Sequence, residues 1–140
     1  MTVSESPIDR LLGALDALDV DAALAPAAPD IRLLTADGRH AEGAAAVREL
    51  LADFLGQLRA TAHTITAQWH DDDAWIAEVE ATYELKDRTR LAAMPRAFIL
   101  RLGAAGWSDL HVYGAHERPL DESRARDEGM RIGGYWIPPL

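Results

Sequence analysis

The chain has 140 residues, a length that suits one domain with its own core and no need of cross-links. Hydrophobic residues at 49% and charged ones at 26% exclude a disordered tract, and the absence of cysteine excludes disulfide and thiol chemistry. A formal net charge of −9 repels nucleic acid and anionic lipid at long range, so neither is expected as a partner.

The first residues hold no apolar run long enough for a signal peptide, and nothing approaches the roughly 20 apolar residues of a membrane helix. With the lack of cysteine, this leads to the expectation of a cytoplasmic protein that makes no use of a membrane. Ser6-Pro7 predicts a helix start, with Ser6 as N-cap and Pro7 where a missing N–H costs nothing. Ile8, Leu11, Leu12 and Leu15 then recur at helical spacing. Asp19 or Asp21 can open a short second helix that ends before Pro26. A short strand over 30–35, the turn pair Asp37-Gly38 and a strand over 39–42 predict a hairpin. Residues 44–59 read as the best helix of the chain, with Val47, Leu50, Leu51, Phe54, Leu55 and Leu58 on one side.

Beyond that helix the hydrophobic period changes from 3.6 to 2. His63, Ile65, Ala67 and Trp69 alternate with polar residues, and Asp71-Asp72-Asp73 forms a turn. The clearest strand covers 75–85: Trp75, Ala77, Val79, Ala81, Tyr83 and Leu85 alternate with Glu78, Glu80, Thr82 and Glu84. Further strands are expected over 96–102, with Pro95 at a strand start or edge, and over 107–113. Residues 118–131 are charged and irregular, and the chain closes on Gly133-Gly134 followed by Tyr135, Trp136 and Ile137. Helices segregated from strands imply an α+β domain over residues 1–120, with residues 121–140 as a tail that lids a pocket or clasps a dimer partner.

Several groups have the chemistry of a site. His63 shares a strand face with Ile65 and Trp69 and can serve as general base or acid in a pocket, or sit in the core bonded to a backbone carbonyl. Asp109, His111 and Tyr113 share one face of the last strand, Leu110 and Val112 the other, and alternation leaves open which face is buried. Phe54, Tyr83, Trp69, Phe98 and Trp107 supply aromatic surface for a planar ligand or simply fill a core. No His-x-His or His-Glu-x-x-His pattern, no calcium loop and no phosphate-binding glycine loop occurs, so no metal and no cofactor is expected.

The order and spacing of these segments resemble a known family. Pro29-Asp30-Ile31-Arg32, the run from Asp37 to Gly43, Val47 to Phe54, His63-Thr64-Ile65, the strand over 75–85 and Ser108 to Tyr113 are similar to the nuclear transport factor two-like superfamily. Within it, they look closest to the small bacterial SnoaL-like proteins. The resemblance implies a curved antiparallel sheet wrapped around helices as a cone with a central pocket (a cystatin-like α+β barrel). It also implies homodimers formed through the outer sheet face, and it turns Asp109, His111 and Tyr113 into the hollow.

Catalytic members of the superfamily are matched only in part. Ketosteroid isomerases carry a carboxylate near Leu34 or Thr35 and a second near Phe98, and none of these is an acid here. Scytalone dehydratases use an Asp in the first helix, where Leu15 is nearest and Asp16 is expected to face elsewhere, and a His that His63 resembles. The expectation is a small-molecule pocket protein that performs cofactor-free acid–base chemistry on a small apolar carbonyl compound, as an isomerase, cyclase or lyase. His63 and His111 would transfer protons, Asp109 would orient, and Tyr113 or Tyr83 would donate to an oxyanion. The alternative is a non-catalytic ligand-binding or dimerisation module of the same fold.

Overall fold

The computed structural model describes residues 6–36 and 38–114, together with the backbone of Met130–Ile132 and Tyr135–Ile137. The side chains of the C-terminal tail, and the expectations that it lids a pocket or clasps a partner, lie outside the described residues, as do Asp37 and His116.

Helix α1 (Pro7–Asp16) starts at a reciprocal cap: Asp9 N–H donates to Ser6 Oγ and Ser6 N–H to Asp9 Oδ2, each at 3.1 Å. Its buried stripe is Ile8, Leu11, Leu12 and Leu15. Asp19 caps the short α2 (Val20–Leu24) by accepting from Ala22 N–H. Strands β1 (Ala27–Leu34) and β2 (His40–Glu42) form the expected hairpin. Its turn is wider than a two-residue one: Thr35 N–H donates to Arg39 O, and Gly38, at φ 87°, donates to Thr35 O.

Helix α3 (Ala44–Gly56) stops short of the predicted residue 59, because the ladder with the next strand claims Leu58 and Arg59. Leu58 is buried opposite Leu85, and Arg59 reaches Glu84 at 3.3 Å. Four long strands follow: β3 (Leu58–Asp71), β4 (Ala74–Leu85), β5 (Arg90–Gly103) and β6 (Gly106–Gly114). The sheet order is β2-β1-β6-β5-β4-β3, antiparallel throughout except where β1 lies parallel to β6. The sheet is curved and open, and α1 and α3 pack against its inner face. Val47, Leu51, Leu11 and Leu15 share one core with Ala77, Val79, Phe98 and Leu100. Each such side chain contributes about 1.5–3 kcal/mol on burial. In the tail, β7 (Met130–Ile132) pairs antiparallel with β8 (Tyr135–Ile137).

The alternation in β4 holds: Ala77, Val79, Ala81 and Tyr83 are buried and Glu78 and Glu80 exposed. In β3 it does not. His63 pairs with Ala81 and Ile65 with Val79, but a bulge at Thr66 sets Ala67 opposite Glu78 and Gln68 opposite Ala77. One extra residue inverts every side chain beyond it. Trp69, expected beside His63, therefore faces outward with 50% of its surface exposed. Gln68 turns inward instead and donates to Ser6 Oγ at 2.6 Å.

Strand β5 starts earlier than predicted, through an irregularity opposite Thr82 where Ala93 adopts φ 53° and donates to Thr82 Oγ1. Pro95 sits one residue past the last β5–β6 pair, Arg96 with Gly114, where among the described residues β5 has no partner on that side. Arg96, opposite the inward Val79, is buried with 3% exposure. Its guanidinium lies 5.8 Å from the Tyr83 ring centroid and fits because Gly114 has no Cβ, which would stand 2.5 Å from Nη1.

Gly106 fastens the β5–β6 turn to the start of β1. Its φ is 125°, a Cβ there would lie 2.5 Å from Pro26 O, and Trp107 N–H donates to that same oxygen at 2.9 Å. A Gly106→Ala variant is expected to lose about 1–3 kcal/mol of stability, since a side chain at this φ is strained and the backbone must also move apart. Chemical denaturation against the parent protein checks this, and Gly13→Ala, where nothing stands within 4 Å of the added Cβ, is the control.

Candidate functional site

Between the helices and the inner sheet face lies a hollow of about 220 Å³. Most of its wall is apolar: Leu15 of α1, Phe54 of α3, Leu91 and Phe98 of β5, and Leu110 and Val112 of β6. Polar atoms come from Thr35, Arg39, Gln57, Thr89, Tyr83 and His63. Arg39 also forms an ion pair with Asp53 at 3.0 Å, half-exposed to solvent.

His63 is the titratable group set into this wall, its side chain only 2% exposed. Three aromatic rings hold it in place. The Tyr83 and Phe98 centroids lie 6.0 and 5.7 Å from the imidazole centroid, both nearly perpendicular to it, and Phe54 packs edge-on against Tyr83 at 5.8 Å. Phe54, Tyr83 and Phe98 thus stand together at the hollow.

The partner of His63 is Asp16, the last residue of α1. Asp16 Oδ1 lies 2.6 Å from His63 Nδ1, and its Oδ2 accepts the His63 backbone N–H at 3.3 Å. One carboxylate thereby fixes both the backbone and the ring of a single residue. The expectation that Asp16 faces elsewhere is overturned: α1 ends against β3, so its final side chain drops onto the strand. With the Nδ1 proton directed at Asp16, Nε2 is left as the acceptor nitrogen, and it meets no protein partner among the described residues. An imidazole held in this tautomer by a carboxylate can take a proton at Nε2 and stabilise the resulting charge through Nδ1.

The other predicted site residues are placed elsewhere. Leu110 and Val112 line the hollow, so Asp109, His111 and Tyr113 point to the opposite face of the sheet. The reason is register: Leu110 pairs with Leu100 and Val112 with Phe98, both inward residues, and alternation then sends their neighbours out. There Asp109 bonds Arg32 Nε at 2.8 Å, and Tyr113 Oη lies 3.2 Å from His111 Nδ1. That bond to Asp109 holds the Arg32 guanidinium above its ordinary pKa. His111 and His63 are on opposite sides of the sheet and do not meet. Trp107 is buried but bounds a second hollow, and Trp69 bounds neither. Among the described residues no group of three or more His, Asp or Glu side chains is disposed to hold a metal ion, and no helix is long and apolar enough to cross a membrane.

A curved, open six-stranded sheet packed over helices, with a mostly apolar hollow between, defines the ketosteroid isomerase-like or nuclear transport factor two-like class. The chain belongs to the SnoaL-like domain family, which it matches over residues 8–107. No curated protein matches it by sequence. Among solved structures it is similar to a hypothetical protein with a ketosteroid isomerase-like fold from Catenulispora acidiphila in complex with trimethylamine. That likeness has 18% identity and a TM-score of 0.70, over 79% of this chain and 86% of that one. An epoxide hydrolase of M. tuberculosis described as LEH-like has 16% identity and a TM-score of 0.65, over 76% and 78% of the two chains. SalBIII, an epoxide hydrolase/cyclase-like enzyme of pyran ring formation in salinomycin, has 14% identity and a TM-score of 0.65, over 76% and 86%.

The geometry makes a spectroscopic prediction. In its neutral form His63 is expected to carry its proton on Nδ1, and Asp16→Asn is expected to shift the population toward the Nε2–H tautomer. Nitrogen NMR of the imidazole in both proteins reads this directly, and an unchanged tautomer would mean that Asp16 does not orient the ring.

Proposed function

We propose that the hollow binds a small, mostly apolar, carbonyl-bearing molecule and that the Asp16–His63 pair moves a proton on it, as in a cyclase, isomerase or lyase. The observation that carries this is the pairing itself: one carboxylate-oriented imidazole set into a mostly apolar wall. His63 Nε2 accepts a proton from carbon or oxygen, Asp16 stabilises the imidazolium, and the proton returns at another atom. The reaction needs no cofactor in this form. Tyr83, whose ring stands edge-on to the same imidazole, is the donor this reading assigns to a developing oxyanion. His111, Asp109 and Tyr113, on the far face, have no part in it. The cyclase and epoxide hydrolase descriptions of its structural neighbours agree with acid–base work in such a hollow.

Proton exchange tests the reading without knowledge of the natural substrate. The protein is expected to accelerate deuterium exchange at the α-carbon of a compact ketone such as 2-tetralone in D2O. His63→Ala is expected to lower that rate by roughly 10²–10⁴-fold, the usual contribution of a positioned base. Equal exchange by parent and variant would refute the assignment. Binding of the ketone without exchange would favour the second reading, a ligand-binding module, which the missing acids at Thr35 and Phe98 support.

In the same reading the protein is a cytoplasmic homodimer joined through the outer sheet face, with residues 1–120 as the unit and 121–140 as a tail that clasps the partner. The exposed Trp69 and the half-buried Ile76, Ala97 and Ile99 supply apolar area there, between Glu78 and Glu80 on one side and Arg32 and Arg101 on the other. Sedimentation at micromolar concentration is expected to show a dimer that Trp69→Glu dissociates. A monomeric parent protein would refute this part alone.

A further inference from the structure

The hollow beside His63 ends on side chains that also bound a second one. Leu33, Leu51 and Leu110 line both the space of about 220 Å³ and a space of about 710 Å³ between α1, α2 and the β5–β6 turn. They come from three elements, β1, α3 and β6, and all three are buried. A single layer of leucine side chains therefore lies between the two. Nothing in that layer is polar, so it can select only by shape.

The two volumes differ in a way that matters for ligands. Small-molecule sites run from about 300 to 1,000 Å³. The hollow with His63 falls below that range, while the second, which holds no imidazole, falls within it. The proton-transfer group thus serves the smaller space, and the room for a larger molecule lies behind the leucines.

We propose that Leu33, Leu51 and Leu110 are specificity-determining residues: they form a partition that confines the ligand of the His63 hollow to short, compact carbonyl or phenol compounds. Molecules with an alkyl arm directed at the second space are excluded because the arm meets the leucines end-on. This rests on the proposed ligand-binding role of the hollow. Truncating a buried leucine in an apolar core leaves a space on the order of 150 Å³ that accepts a benzene-sized guest. Here such a truncation connects two spaces that already exist, so the room gained by a ligand exceeds the volume of the side chain removed.

The test uses para-alkylphenols, from p-cresol to p-octylphenol, titrated into the parent protein and into Leu51→Ala, Leu110→Ala and Leu12→Ala. Leu12 is a buried leucine of α1 that bounds neither space, and its truncation separates loosening of the fold from opening of the partition. In the parent protein affinity is expected to rise by up to about fourfold per methylene, the transfer value of a buried CH₂, and then to fall beyond a short arm. In Leu51→Ala and Leu110→Ala the rise is expected to continue to longer arms, so that the longest phenols bind tenfold or more tighter than to the parent. Where an alanine variant does not fold, the valine variant at the same position is expected to move the cut-off in the same direction by less. A cut-off that stays in place, one that moves equally in Leu12→Ala, or a parent protein without a cut-off overturns the partition while leaving the hollow a ligand site. Failure of even p-cresol to bind the parent protein overturns the ligand-binding reading, and the partition falls with it.

Discussion

Strict alternation along β3 would send His63 and Gln68, five residues apart, to opposite faces of the sheet, yet both grip α1. The bulge at Thr66 makes this possible. Helix α1 has ten residues and spans ~15 Å, and the five strand steps from His63 to Gln68 span ~16 Å, so the two bonds meet the helix at its two ends. Gln68 reaches the N-cap hydroxyl of Ser6, and His63 reaches the terminal carboxylate of Asp16. A helix fastened at both ends to one strand cannot slide or roll along it. The apolar stripe from Ile8 to Leu15 is then set against the sheet in one register, and the hollow takes its shape from that register.

The bond at the far end has an electrostatic oddity that sets it apart from ordinary packing. A carboxylate in the last turn of a helix opposes the helix dipole, and α1 has no basic residue there to compensate. Asp16 is tolerated because β3 supplies two donors, the His63 backbone N–H and the ring Nδ1. Structural economy would place a lysine or an asparagine at such a helix end. The acid makes sense if the imidazole, rather than the helix, is what it serves. Local rules are broken most often where a site requires it, and this breach reaches the hollow through His63.

Much of this architecture was legible in the sequence. The N-cap at Ser6, the helical stripes and the alternation from Trp75 to Leu85 each follow from local chemistry that the tertiary structure leaves intact. The aromatic wall of Phe54, Tyr83 and Phe98 was legible for the same reason, since each lies on a face that periodicity defines. The misplacements come from register. A bulge has no composition of its own, so alternation alone puts Trp69 inward, and only the pairing of Ala67 with Glu78 and Gln68 with Ala77 turns it out. In β6 both faces carry plausible core residues, and only the pairing of Leu110 with Leu100 decides that the polar triplet points out. Helical spacing puts Leu15 on the core side, and not Asp16. The signal that was available is its position, an acid at a helix end with no basic neighbour, rather than its place in the stripe.

The wall of the hollow also limits the kind of reaction it can support. Among the described residues its lining holds no serine, lysine or carboxylate, the side chains that most often form a covalent intermediate at such a site. What the lining offers is a basic nitrogen, a phenol, hydroxyls, an amide and the Arg39 guanidinium in a mostly apolar setting, where a fixed charge acts more strongly than at the surface. Asp16 enters only through His63, because its own two oxygens are both engaged by that residue. A proton can therefore arrive at and leave from one atom, Nε2, and a reaction there must give back at one carbon or oxygen what it takes from another. Isomerisation, intramolecular cyclisation and elimination satisfy that condition. Transfer of a larger group through the protein does not.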